Sequence, residues 1–221
     1  VTSVLLILNT LMFFVVLFNG GFSSESLIKN GGLVPRLVSE DNEYYRLLLA
    51  MFLHGGLFHF LMNSYFLYFL GGFTERLLGS TRYAIIYMIS GLGASVAVWQ
   101  FSNPEVVTIG ASGALYGIMG GLLILTFLKA NWLHPRTIKS IRMISFINIM
   151  FTLVLGESLN VSVQGHIGGL VFGIVLTYLL IPDYPNTKQR YQQHIDPNAQ
   201  SHNGRIIIDM DDVSDEDIYT N

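Results

Sequence analysis

The sequence predicts an all-α membrane protein, a bundle of six transmembrane helices. Three observations carry that prediction. Mean hydropathy is +0.49, and only 12% of the 221 residues are charged, about half the share in an average soluble domain. The apolar residues gather into six stretches near the roughly 20 residues, range about 17–25, that a bilayer core asks of a helix. Basic residues crowd into alternate connections, which fits the positive-inside rule. Cysteine is absent, and this excludes disulfides, thiolate metal sites and a cysteine nucleophile. A net charge of −3 without a basic stripe gives no footprint for nucleic acid.

The first stretch, residues 1–18, ends at Asn19-Gly20-Gly21. It has no basic leading segment and no small-residue cleavage site, so it reads as a membrane helix rather than a signal peptide. The chain opens already inside this run, which predicts further residues upstream. Residues 19–56 form a long connection with Lys29, Pro35, Arg36 and an acidic patch at Glu40, Asp41 and Glu43. Within it, Leu47 to Leu53 is apolar but too short to span. That pattern suits a segment in the interface, with Tyr44, Tyr45 and Arg46 at headgroup level.

The second span covers about 57–73, carries His59 and Asn63, and ends at Glu75-Arg76, a cytoplasmic helix-end anchor. The third runs 83–101 and is closed by Ser102-Asn103-Pro104, and the fourth covers 112–128. A basic loop with Lys129, Arg136, Lys139 and Arg142 precedes the fifth, a short one from 143 to about 156. The sixth, 165–181, stops at Pro182. The membrane domain is therefore 1–181. Residues 182–221 form an acidic cytoplasmic tail whose composition predicts disorder.

Six spans place Arg76, Arg82, Lys129, Arg136, Lys139, Arg142 and the three basic residues of the tail on one side, against Lys29, Arg36 and Arg46 on the other. The excess puts both termini in the cytoplasm. Ser112, His166 and His59, each near the start of an even-numbered span, then share one depth toward the outer face.

Polar residues inside spans are costly and are functional candidates by default. Ser112 stands in Gly110-Ala111-Ser112-Gly113 at the mouth of the fourth span, and His166 in Gly165-His166-Ile167-Gly168-Gly169 at the mouth of the sixth. A lone membrane serine often does no more than bond the carbonyl one turn back. Paired with a histidine at the same depth it is a candidate nucleophile with its base, since a membrane interior favours the neutral ring that a general base requires. Gly113 and Gly117 are four apart, as are Gly165, Gly169 and Gly173. Such small faces permit close helix contact, close enough for Ser112 to reach His166.

Tyr116, one turn after Ser112, either supports the imidazole or is a packed aromatic. His59 and Asn63 share a face of the second span. They are either oxyanion donors, together with the backbone N–H of Ser112, or a polar pair joining two helices. His54 is expected to brace the preceding loop by hydrogen bonding.

These residues resemble the signature motifs of the rhomboid intramembrane serine proteases: Gly110-Ala111-Ser112-Gly113, Gly165-His166-Ile167-Gly168-Gly169, the His54, His59, Asn63 series, and Glu75-Arg76. The likeness covers 1–181. It departs from the family at Tyr45-Arg46, where Trp-Arg is often found. Six spans resemble the basic prokaryotic form, an integral protein of a bacterial cell membrane. The resemblance implies cleavage of transmembrane protein substrates in the lipid bilayer by a Ser112–His166 dyad, with no third acid, cofactor or metal. It implies His59, Asn63 and the Ser112 N–H as oxyanion donors, and sideways substrate entry near the second and fifth spans.

Rival chemistries lack their residues. A zinc protease needs the H-E-x-x-H spacing, which His54 and His59 do not supply, and an aspartyl protease needs two membrane carboxylates where no Asp lies in any span. A catalytically dead client-binding relative would lack one member of the dyad. A transporter would show an inverted repeat.

Overall fold

A computed structural model describes residues 1–182 except Asn160, and of Glu157 the backbone alone. The acidic tail expected over 182–221 lies outside the described residues beyond Pro182. Among the described residues all regular structure is helical, save one antiparallel bridge between Leu33 and Thr108. Helix α1 is Thr2–Phe18, and three short helices follow it: α2 Ser24–Lys29, α3 Pro35–Glu40 and α4 Arg46–Leu49. Helix α5, Leu57–Phe66, runs through one π turn, Leu67–Gly71, into α6, Gly72–Leu78. The long helices α7 Ser80–Phe101, α8 Ser112–Leu128, α9 Pro135–Leu155 and α10 Val163–Leu180 complete the bundle.

A helix thus stands at each of the six expected stretches. By length and hydropathy, α7, α9 and α10 can cross a membrane, and the pair Arg46–Phe52 with Leu57–Leu78, bent by 91°, meets the same measure only when its two parts are taken together. Helices α1 and α8 are apolar but shorter. Large apolar side chains such as Phe14, Phe18, Phe69, Phe146 and Val154 lie on the outer surface. Water-soluble monomers rarely expose contiguous apolar patches above a few hundred Å², and a bilayer is the solvent that suits this exterior.

Two boundaries differ from expectation. The basic residues Arg136, Lys139 and Arg142, expected in a loop, belong to the first turns of α9. That helix starts at Pro135, with His134 as N-cap accepting the Arg136 N–H at 3.2 Å. Proline at the first helical position suits a helix start, so the helix begins well before its apolar part. Likewise α6 runs on to Leu78, past the apolar stretch, with Glu75 and Arg76 near its end as a helix-end pair, because a helix can project beyond the hydrocarbon once its side chains reach the interface.

Arg46, expected at headgroup level, is enclosed by protein. It is 5% exposed, pairs with Glu43, and donates from Nη1 to the carbonyls of Ile28 at 2.6 Å and Gly32 at 2.8 Å. The guanidinium fork can serve several acceptors at once, and here it ties α4 to α2 and to the loop that follows α2.

Helix α8 fills the centre: eleven of its 17 residues are buried, and it packs between α7 and α10. Small residues allow the approach. A Cβ built on Gly169 would land on the Gly113 carbonyl oxygen, and one on Gly173 would land on that of Gly117. Backbones so close gain dispersion contact that larger side chains would prevent. Helix α9 is peripheral and buries only Ile141, Ser145 and Thr152, a single stripe turned toward α8.

Candidate active site

The approach to α8 is clamped at three points. Leu33 and Thr108 exchange backbone hydrogen bonds at 3.0 and 2.8 Å, and the Gly110 N–H donates to the Ala50 carbonyl at 2.8 Å. Gly110 has φ +121°, a conformation that other residues avoid. There is no room for a side chain either, since a Cβ there would sit 2.7 Å from His59 Nε2 and 3.7 Å from Ser112 Oγ. Gly110 is therefore the spacer between His59 and Ser112. Ser112 opens α8, so its N–H belongs to the first-turn donors that have no partner within the helix, at the positive end of the helix dipole.

On α10, Ser162 caps the helix by accepting the Gly165 N–H at 3.1 Å, and the His166 N–H reaches the Ser162 carbonyl at 3.0 Å. This fixes the first turn, from which the imidazole projects. His166 Nε2 lies 2.9 Å from Ser112 Oγ. The ring of Tyr116 stacks on the imidazole at 3.9 Å between centroids and 16° between planes. His166 is 8% exposed. Serine, histidine and tyrosine thus meet as the helical spacings require, with Gly113 and Gly169 in the contact that joins their helices.

A cavity of about 940 Å³ adjoins the pair, with Ser112, His166, His59 and Asn63 in its lining. Phe58, Met62 and Phe66 of α5 form one wall, and Asn148 and Phe151 of α9 another.

His59 receives the Gly55 N–H on Nδ1 at 3.4 Å. A ring nitrogen that accepts is unprotonated, so Nε2 carries the proton, and it is Nε2 that faces Gly110 and Ser112. Asn63 lines the same cavity, but its Nδ2 donates to the His59 carbonyl of its own helix at 2.9 Å. One of its two N–H groups is therefore engaged within α5. His54 differs from expectation. It is fully buried, neither ring nitrogen has a protein partner, and the ring packs edge-on against His59 and Phe60. Its bracing of the loop is by ring contact.

One residue at the site escaped the sequence. Thr152 of α9 is fully buried, and its Oγ1 lies 3.0 Å from His166 Nδ1. The available signal was weak: Ser145 and Thr152 stand seven apart in an apolar helix, and a membrane threonine usually satisfies itself on its own backbone.

An all-helical bundle with a lipid-facing exterior and a serine bonded to a buried histidine defines a class, the membrane-embedded proteins that carry a Ser–His pair inside the bundle. The chain belongs to the rhomboid family: residues 41–183 match its Rhomboid domain. It is 36% identical to RHOMBOID-like protein 4 of Arabidopsis thaliana over 192 residues, 84% of this chain and 46% of that protein. It is 34% identical to RHOMBOID-like protein 6, mitochondrial, of the same plant, across 73% of this chain and 52% of the relative. Identity to Rhomboid protease GluP of Bacillus subtilis is also 36%, over 78% of this chain and 33% of that protein. The chain spans between a third and about half the length of these curated relatives. They come from a plant and a bacterium alike, so they give no support to a bacterial source in particular.

Proposed function

We propose that this chain is an intramembrane serine endopeptidase that cuts transmembrane segments of membrane proteins. The observation that carries this reading is the 2.9 Å contact between Ser112 Oγ and His166 Nε2 beside a cavity large enough for an unwound segment. Ser112 is the nucleophile. His166 takes its proton as Oγ attacks the scissile carbonyl, and returns it to the leaving amine. The acyl-enzyme is then hydrolysed by a water activated on the same imidazole. The Ser112 N–H, His59 Nε2–H and the second N–H of Asn63 are placed to receive the oxyanion. Helical substrate hides its carbonyls in i→i−4 hydrogen bonds, so the scissile stretch must unwind. Entry is sideways from the lipid, between the α5 and α9 walls of the cavity.

Six crossings, the count that this reading uses, place the α6–α7 and α8–α9 connections in the cytoplasm with their basic residues. Both termini are then cytoplasmic, and the site opens toward the outer face.

The test is incubation of the purified protein, in detergent and in liposomes, with single-span substrates of differing helix stability. Cleavage within or beside the span, faster where the helix is weaker, is the expected result. Cleavage of soluble unfolded protein alone would overturn the intramembrane reading.

His59→Ala and Asn63→Ala should each lower kcat by roughly tenfold to a thousandfold if each is one oxyanion donor among several. Wild-type kcat in both variants would return the pair to a packing role.

A further inference from the structure

The face of His166 turned away from Ser112 meets a hydroxyl. Nδ1 lies 3.0 Å from Thr152 Oγ1, Thr152 Oγ1 meets the Tyr116 hydroxyl, and that hydroxyl donates to the Asn148 carbonyl at 2.9 Å. A carbonyl oxygen has no proton to give, so it sets the direction of the whole series. Tyr116 commits its one proton to Asn148. Thr152 must then donate to Tyr116, which leaves only lone pairs toward the imidazole. Nδ1 therefore carries the ring proton and donates it to Thr152. Nε2 is left bare, 2.9 Å from Ser112 Oγ. The opposite tautomer would set a lone pair of Nδ1 against a lone pair of Thr152 at hydrogen-bond distance.

Thr152 differs from two other helical threonines. Thr10 and Thr74 each bond the carbonyl one turn back, at 2.7 Å. For Thr152 that carbonyl belongs to Asn148, which already takes the backbone N–H of Thr152 through the helix and the hydroxyl of Tyr116. With both lone pairs of Asn148 in use, the threonine hydroxyl is turned to His166. Full burial keeps water from replacing it.

We propose that Thr152 is the positioning residue of this site, holding His166 through Nδ1 in the tautomer that can accept the proton of Ser112. The proposal rests on the reading of Ser112 and His166 as nucleophile and base. A neutral acceptor fixes tautomer and ring orientation without adding a charge, so it leaves the imidazolium formed during catalysis less stabilised than a carboxylate would.

The experiment compares Thr152→Val, which keeps the branched shape and removes the hydroxyl, with Thr152→Ser, which keeps the hydroxyl. Cleavage kinetics, melting temperature and ¹⁵N spectra of histidine-labelled protein are measured for each, with His166 assigned by its loss in His166→Gln. The valine variant should lose about 10- to 100-fold in kcat with KM unchanged, since Thr152 is not in the cavity lining. Its His166 signals should move away from the Nδ1–H tautomer seen in wild type. The serine variant should recover most of the rate and the wild-type spectrum. Wild-type kcat and tautomer in Thr152→Val would overturn the proposal, as would equal loss of rate in both variants with equally lowered melting temperatures. A wild-type protein that cleaves nothing, yet shows the Nδ1–H tautomer and loses it in Thr152→Val, would uphold the positioning role and sink the protease reading instead.

Discussion

Ser112→Ala is expected to abolish cleavage, lowering the rate by at least about 10⁴-fold, or more than about 5 kcal/mol of transition-state stabilisation. The change removes one oxygen atom from a partly exposed position at the start of α8. Its cost to folding is one hydrogen bond, to His166, worth about 1 kcal/mol. The variant should therefore insert and purify like wild type. His166→Ala should be as inactive, and the double variant no worse than either single one, because groups that act as a unit are not additive. Cleavage assays run beside labelling with a serine-reactive fluorophosphonate provide the measurement. Wild type should label at Ser112 alone. Turnover by Ser112→Ala at the wild-type rate, or labelling at another residue, would remove Ser112 from the role of nucleophile.

Gly169→Val should inactivate the protein without touching either member of the pair. The position of Cβ is set by the backbone, so no rotamer relieves its collision with the Gly113 carbonyl oxygen. The helices α8 and α10 must move apart. Ser112 is the residue before Gly113, and His166 lies three residues before Gly169, so the separation acts directly on the 2.9 Å contact. Displacement by about 1 Å can cost about a hundredfold in rate, and overpacking of this kind costs about 1–3 kcal/mol of stability. Gly169→Ala, which adds only the Cβ, should already show most of the loss. Gly72→Ala is the control, since a Cβ there meets only the far end of Arg76 at 3.6 Å. Orientation, read by cysteine accessibility of the loops, should be unchanged. Full activity and stability in Gly169→Val would mean that α8 and α10 do not meet at this glycine.

Much of this arrangement was legible in the chain. Apolar runs announce helices here because a bilayer leaves backbone groups no partners except each other. The four-residue spacing of glycines announces where helices touch, since only a missing side chain lets two backbones meet. Ser112, His166 and Tyr116 stood out because polar groups are scarce in such runs. The boundaries of α6 and α9 were less legible. Hydropathy marks where the hydrocarbon ends, whereas a helix ends where its capping and backbone bonding end, as His134 and Pro135 show at the start of α9.

By itself, then, the sequence determined the solvent of this protein, its helices, the small-residue contacts and the residue types available for chemistry. These follow from composition and short periodicities. Only the tertiary structure decided the protonation geometry. Thr152 reaches His166 across fourteen residues of chain and from a different helix. Asn63 turns one N–H to its own helix, and Arg46 turns inward to carbonyls of α2 and the loop after it. His54 is buried without a hydrogen bond. In each case the outcome depends on which acceptors neighbouring segments leave open. A hydrogen bond has direction and one proton to give, so its partner is settled by the whole surrounding network rather than by the residue that offers it.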